Sequence, residues 1–235
     1  MIRFIAEQWN AYLAGFGTAI FISAISMVGS VTIGTLGAIG RLSERRSLRA
    51  IASAYIAIFR GLPPLLTLYL VYFGLPTWAA SAGIDLLTQL LEPLSNRIFA
   101  AVFAFTLVSG AYSTEIMRAA IQSVHEEQTQ AAKSIGMSYS LAFRRVIAPQ
   151  AFRIAFPPLS NEYIALLKAT SLASVIGVTE LMRTAQMAAN LTFQPMLAYS
   201  MAGIYYALFV IGLQLALRRT DRLFRRTATA RPKLV

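Results

Sequence analysis

Five apolar stretches, separated by short polar or basic segments, make up most of the chain. Since a membrane-spanning helix needs about 20 mostly apolar residues, each stretch is predicted to cross a membrane. The predicted spans cover residues 15–39, 50–74 and 98–112, a fourth that starts after FRIAFPPLSNEY and ends near Val178, and 195–217. The fold class is therefore all-α, a polytopic membrane protein with about five transmembrane helices.

Two features qualify this pattern. In the second span Arg60 lies just before Pro63 and Pro64, and because proline removes a backbone donor, we expect the helix to break there. Such a break is tolerated at membrane depth only where it faces protein or a watery cavity. Residues 76–97 are predicted to form a loop with a short surface helix at IDLLTQLLEPL.

Composition supports the membrane class. Charged residues make up 13% of the chain, against about a quarter in soluble domains. The net charge of +11 comes largely from clusters between apolar segments, such as RLSERRSLR and RRTDRLFRR, rather than from a nucleic-acid surface. Cytoplasmic flanks of membrane helices carry such clusters, so the N-terminus is predicted outside and the C-terminus in the cytoplasm. Residues 1–235 then form a single transmembrane domain with a cytoplasmic loop at about 118–150 and a basic cytoplasmic tail at about 218–235, and the N-terminus lacks the pattern of a cleavable signal.

Titratable chemistry is sparse. The chain has no cysteine and one histidine, His125, which excludes disulfides, thiolate metal sites and multi-histidine metal cages. His125 is predicted to lie on the surface of a cytoplasmic helix. A membrane enzyme would need a nucleophile with a base, or a metal cluster, and the scattered carboxylates do not indicate one.

The polar insert is the most distinctive segment. TEIMRAAIQSVHEEQTQAAKSI is predicted to form one helix that ends at Gly136. Ser138 is a candidate N-cap for a second helix, which is predicted to end at Ala148 before Pro149. Apolar Met137, Leu141 and Phe143 suit a helix that docks into a groove of another protein. The chemistry alone fits equally well a helix that lies flat on the bilayer.

A resemblance decides between these readings. The insert resembles the cytoplasmic EAA loop of ATP-binding-cassette (ABC) importer permeases, with Gln130 in place of the acid and Ala148 in place of a leucine before Pro149. FRGLPPLLTLYLVYFGLP, SGAYSTEIMRAAIQSV and PQAFRIAFPPLSNEYIALLKATSLASVIGVTEL also look like permeases of the polar amino-acid branch, which imports histidine, glutamine, arginine and opines. The resemblance covers about residues 12–226. This branch usually has an acid or amide where this chain has Ala169, a departure that is expected to alter the chemistry of the pore lining.

The resemblance implies a type I ABC importer permease. It implies a second permease subunit, identical or paralogous, a dimer of cytoplasmic ATP-binding subunits, an external solute-binding protein and a polar amino-acid substrate. The residues it assigns to ATPase coupling are Gln130, Ala131, Ala132, Gly136, Met137 and Pro149. The chain contains no G-x-x-x-x-G-K-[ST] motif, so ATP and Mg²⁺ are expected on the partner ATPase, with no cofactor or metal on this chain and no enzymatic activity of its own.

Charged groups inside apolar segments are functional candidates because burying a charge in hydrocarbon costs about 3 kcal/mol or more. A polar cavity for a zwitterion would offer cations to its carboxylate and acids to its ammonium group. The candidate pathway residues are Arg60, Glu115, Asn161, Glu162, Lys168, Thr170 and Ser171. Each also has a structural alternative: Arg60 capping broken backbone, Glu115 pairing with Arg118 near the headgroups, and the polar neutral residues packing between helices.

The competing function is an ATPase-independent channel or secondary carrier. Such carriers often contain paired repeats with matching broken helices, and no internal repeat is visible here. The expected location is the bacterial inner (plasma) membrane.

Overall fold

The computed structural model describes residues 2–124 and 126–229, and the side chains within 8–124, 127–217 and 219–220. The described part is helical almost throughout. Its α-helices are α1 (Ile2–Leu42), α2 (Arg46–Gly61), α3 (Pro64–Tyr69), α4 (Leu75–Ala82), α5 (Asp85–Leu91), α6 (Arg97–Gln122), α7 (Glu126–Ser134), α8 (Tyr139–Ala142), α9 (Ala148–Ala169), α10 (Leu181–Thr192) and α11 (Pro195–Thr229).

Four helical segments of the described chain are long and apolar enough to cross a membrane, and a bent fifth raises the number to five. The four are Gln8–Leu42, Pro64–Ala82, Arg97–Gln122 and Pro195–Leu217, and the bent pair joins Tyr139–Ile176 to Leu181–Thr192 at 49°. The all-α fold and the first, third and fifth predicted spans are confirmed.

Helix α1 packs along α6 through small residues. Ser26 and Ser30 donate hydrogen bonds to the carbonyl oxygens of Val102 and Thr106 at 3.2 and 3.3 Å. A Cβ atom at Gly34 would lie 2.6 Å from Cβ of Ser113 in α6. Small residues allow this close approach of two helices in a membrane, so α1 and α6 form the frame on which the other helices pack.

The second predicted span, at 50–74, is wrong in its bounds. The chain is extended at Leu62 and Pro63, so the expected break is confirmed. However, the segment that can span the membrane starts at Pro64 and, through a π-helical turn at Leu70–Gly74, continues to Ala82, well into the loop predicted at 76–97. The short helix predicted in that loop is present as α5.

The fourth span begins earlier than predicted, because α9 already starts at Ala148 and carries Pro157 and Pro158 within it. It ends in a 3₁₀ turn at Thr170–Ile176. Helix α10, which follows, was not predicted. Its N-cap is Glu180, whose carboxylate accepts hydrogen bonds from the backbone N–H groups of Met182 and Arg183 at 2.9 and 2.8 Å.

Candidate functional site: a polar column and a helical elbow

The predicted elbow has the expected turn. Helix α7 ends in a Schellman motif, in which Gly136 N–H donates to Lys133 at 2.9 Å and Met137 N–H donates to Ala132 at 3.1 Å. Gly136 has φ +81°, a left-handed conformation that glycine adopts without steric cost. Ser138 caps α8 by accepting from Leu141 N–H at 3.4 Å. The glycine turn and the serine cap are confirmed.

Two details of the elbow were predicted wrongly. The chain is not one helix from α6 to Ile135, because α6 ends at Gln122 and α7 begins at Glu126; His125 lies outside the described residues. The second helix also does not end at Ala148 and Pro149. A π-helical turn at Phe143–Ile147 carries it into α9, with Pro149 in the first turn of that helix.

The elbow presents an apolar tip to its surroundings. Ile135 is 73% exposed and Tyr139 67%, with Leu141 at 40%. The two alanines differ, since Ala131 is exposed while Ala132 is 4% exposed and packs against the rest of the chain. Ile135 and Tyr139 were not identified from the sequence, although Ile135 directly precedes Gly136 and Tyr139 follows it by three residues. Gln130 and Pro149 are exposed, and Met137 is half-buried.

The candidate pathway residues divide into two groups. Arg60 is the next-to-last residue of α2, and its guanidinium carbon lies 5.1 Å from the ring centroid of Tyr112 in α6. One turn earlier in α6, Ser109 donates from Oγ to Oε1 of Glu162 in α9 at 2.7 Å. The structure therefore places Arg60 beside Tyr112 and Glu162 beside Ser109, one turn apart on α6, with Glu115 one turn further along that helix. We call these five residues the polar column.

Glu115 pairs with Arg118, which is the structural role proposed for it from the sequence as the alternative to substrate binding. Its Oε2 accepts from Nε and Nη2 of Arg118 at 3.0 and 2.7 Å, and Arg41 of α1 approaches its Oε1 to 3.7 Å. Glu115 thus belongs to an ion cluster at the α1–α6 contact as well as to the polar column.

The remaining candidates lie apart from these contacts. Asn161 and Lys168 are exposed. The hydroxyl groups of Thr170 and Ser171 donate to carbonyl oxygens of Leu167 and Lys168 at 2.7 and 2.8 Å, so both serve the turn that ends α9. Glu180 was missed by the sequence reasoning: it is fully buried, and Tyr206 of α11 donates to it at 3.0 Å.

Comparison with known proteins decides the family. Residues 30–226 match the family described as binding-protein-dependent transport system inner membrane component. The chain belongs to this family. Its fold and its transmembrane helices are those of an ABC transporter permease subunit.

Several relatives cover most of this permease. It is 37% identical to the probable amino-acid ABC transporter permease protein YckA of Bacillus subtilis, over 85% of this chain and 83% of the relative. It is 38% identical to the nopaline transport system permease protein NocQ of Agrobacterium fabrum, over 85% of each chain. It is 36% identical to the L-cystine transport system permease protein TcyB of Bacillus subtilis, over 91% and 88%.

Solved structures agree with the fold of this permease. A chain of an amino acid ABC transporter, crystallised with histidines, superposes with a TM-score of 0.80 at 29% identity, over 93% of this chain and 96% of the other. A chain of the MetNI methionine ABC transporter in an inward-facing conformation has a TM-score of 0.69 at 16% identity, over 95% and 97%, and supports the fold alone.

Proposed function

We propose that this permease subunit forms the translocation pathway of an ATP-driven importer for a polar amino acid or an amino-acid derivative such as an opine. The relatives named for nopaline, L-cystine and amino-acid transport support this substrate class. The observation that carries the proposal is the apolar tip at Ile135, Tyr139 and Leu141 on a helical elbow of a transport-family chain. Exposed apolar anchors on a short helix fit a groove of a partner protein.

The partner at the elbow is a cytoplasmic ATP-binding subunit. Gln130, Ala131, Gly136, Met137 and Pro149 supply or shape the docking surface. Ala132, which is buried, positions α7 through the carbonyl that accepts from Met137. ATP and Mg²⁺ bind to the partner dimer, and this chain contributes the lever that its closure moves.

The polar column is the substrate pathway. A zwitterionic amino acid presents a carboxylate and an ammonium group, and the column offers Arg60 to the first and Glu162 to the second. Because the Ser109 hydroxyl holds Oε1 of Glu162, one carboxylate oxygen has a fixed direction. Lys168, Thr170 and Ser171 lie at or just after the end of α9, Asn161 lies within that helix, and all four serve the pathway by shaping it.

The assembly contains two permease subunits and an external solute-binding protein. In this proposal the protein lies in the bacterial inner membrane, with the N-terminus outside and the elbow and the C-terminus in the cytoplasm. The basic stretch Arg41–Arg49, which includes the end of α1 and the start of α2, supports this orientation.

The test is uptake by proteoliposomes that contain the permease, its ATP-binding partner and the solute-binding protein, with a panel of basic, acidic, amide and opine solutes. Import that needs both ATP inside and the binding protein outside is expected. Import by the permease alone would support a channel or secondary carrier and contradict the proposal.

A further inference from the structure

Arg41, the next-to-last residue of α1, contacts two other helices. Its Nη1 donates to Oγ of Ser53 in α2 at 2.6 Å. Its Nε lies 3.7 Å from Oε1 of Glu115 in α6. Within the part of the chain that the structure describes, Nε is buried and has no hydrogen-bond partner.

Among the described residues, the Glu115 Oε1 atom that faces this nitrogen also accepts no hydrogen bond. Both hydrogen bonds from Arg118 go to Oε2 of Glu115, and among the described residues none is made to Oε1. A charge-assisted hydrogen bond spans about 2.7–2.9 Å, so a decrease of roughly 1 Å would join the two groups. The two groups therefore form an ion pair whose donor and acceptor are too far apart for a hydrogen bond.

Charge balance does not account for Arg41. The guanidinium of Arg118 already holds Glu115 in a two-point contact within α6, which compensates the carboxylate. Arg41 adds a second cation from another helix. Its contribution is therefore to link α1 and α2 to α6.

Both ends of this link lead to functional segments. Glu115 lies two turns before the end of α6, which connects through residues 123–125 to the elbow. On the other side, Ser53 precedes Tyr55, whose hydroxyl binds the carbonyl oxygen of Leu107 at 2.7 Å. Arg60 follows on the same helix and lies over Tyr112 of the polar column.

We propose that Arg41 is a positioning residue for energy coupling, whose 3.7 Å ion pair with Glu115 shortens to an Nε–H hydrogen bond in another state of the transport cycle. Closure of the contact shifts α1 and α2 against α6, so that movement of the elbow changes the position of Arg60 in the polar column. This inference rests on the proposed function, since it assumes that a partner ATPase moves the elbow.

The experiment is a double-mutant cycle in the reconstituted complex with the ATP-binding partner and the solute-binding protein. The variants are Arg41→Gln, Glu115→Gln and the double variant, and the readout is solute imported per ATP hydrolysed. Glu115→Gln keeps an acceptor oxygen for Arg118 and the volume of the side chain. Arg46→Gln is the matched control, because Arg46 is exposed at the start of α2 and makes no hydrogen bond or ion pair with the described residues.

Each single variant is expected to lower the import-to-hydrolysis ratio about fivefold or more, which is the lower range of typical coupling between sites. Each single variant also weakens a further contact, with Ser53 or with Arg118, but both remove the Arg41–Glu115 contact, so the double variant is expected to lose less than the sum of the single losses. Arg46→Gln should match the unaltered protein, and Tm in nanodiscs separates loss of coupling from loss of folding.

Arg41→Lys provides the second variant. It keeps a positive charge but lacks the guanidinium Nε, so it is expected to uncouple like Arg41→Gln while its Tm stays near that of the unaltered protein. A normal ratio in Arg41→Lys and Arg41→Gln, or independent additive losses in the cycle, would overturn the inference. If the unaltered protein itself imports solute without ATP, the proposed function fails instead.

Discussion

Tyr55 of α2 donates a hydrogen bond to the carbonyl oxygen of Leu107 in α6, at 2.7 Å. The ring reaches this oxygen because Gly110 has no side chain: a Cβ atom there would lie 2.6 Å from the Tyr55 hydroxyl. This contact fixes the position of α2 along α6, and five residues later Arg60 lies over Tyr112.

The contact predicts the effect of Gly110→Ala. The added methyl group displaces the Tyr55 hydroxyl, so α2 shifts and Arg60 leaves the column. We expect uptake to fall by about tenfold, equal to about 1.4 kcal/mol, measured in proteoliposomes. Gly203→Ala is the control, since a Cβ there meets nothing within 4 Å. Equal uptake by the two variants would show that the position of α2 does not matter.

Glu162→Gln tests the acid in the polar column. The amide keeps a hydrogen bond with Ser109 and the volume of the side chain but removes the charge that would face an ammonium group. We expect the KM for uptake of zwitterionic or basic solutes to rise by about tenfold, with little change in basal ATP hydrolysis, because only substrate binding is altered. Glu127→Gln, exposed on α7, is the control. An unchanged KM would assign Glu162 to helix packing.

Gly136→Val tests the elbow. A β-branched residue at φ +81° disfavours the turn by about 1–2 kcal/mol, so α7 and α8 change their mutual angle. We expect ATP hydrolysis to become uncoupled from import while membrane insertion is unchanged. Gly83→Val is matched to it, since Gly83 has φ +65° and open space around its Cβ position but lies between α4 and α5. Similar uncoupling by both variants would contradict the role of the elbow.

Glu180→Gln tests the cap that the sequence reasoning missed. An amide presents one acceptor oxygen where the carboxylate presents two to Met182, Arg183 and Tyr206. The loss of a cap hydrogen bond costs about 1–2 kcal/mol, so we expect a lower Tm in nanodiscs and weaker protection of α10 amides in hydrogen exchange. Asp85→Asn, in the first turn of the exposed helix α5, should leave the Tm unchanged, and a matching Tm for the two variants would contradict the cap.

The sequence predicted the membrane spans best where hydrophobicity is continuous. Helices α1, α6 and α11 each contain an apolar segment long enough to cross a bilayer. Helix α10 escaped prediction because it is short and contains Arg183 and Gln186, and its burial depends on tertiary contacts of Glu180. The acid directly before a helical pattern is the signal that could have revealed it.

The rule that a proline ends the preceding helix failed where the chain forms a π-helical turn. Pro149 is expected to end a helix, but the π-helical turn before it places the proline at the start of the next helix. By contrast, Gly136 and Ser138 behaved as predicted, because left-handed glycine and serine caps act through neighbouring backbone groups alone.

The sequence identified the candidate site residues by their charge, but it did not identify the residues that they contact. Arg60 and Glu162 are conspicuous in an apolar chain. Ser109 and Tyr112 are not, because their role depends on the position of α6 against α2 and α9, which no local pattern determines. The distance between Arg41 and Glu115 likewise depends on how α1 packs along α6.

The most direct test of the account is uptake of radiolabelled polar amino acids and opines by proteoliposomes that hold the permease with its ATP-binding partner. Import that requires internal ATP and the external binding protein, and that stops when the partner carries an inactive ATP site, is the predicted result. Equal import with the permease alone, or without ATP, would contradict it.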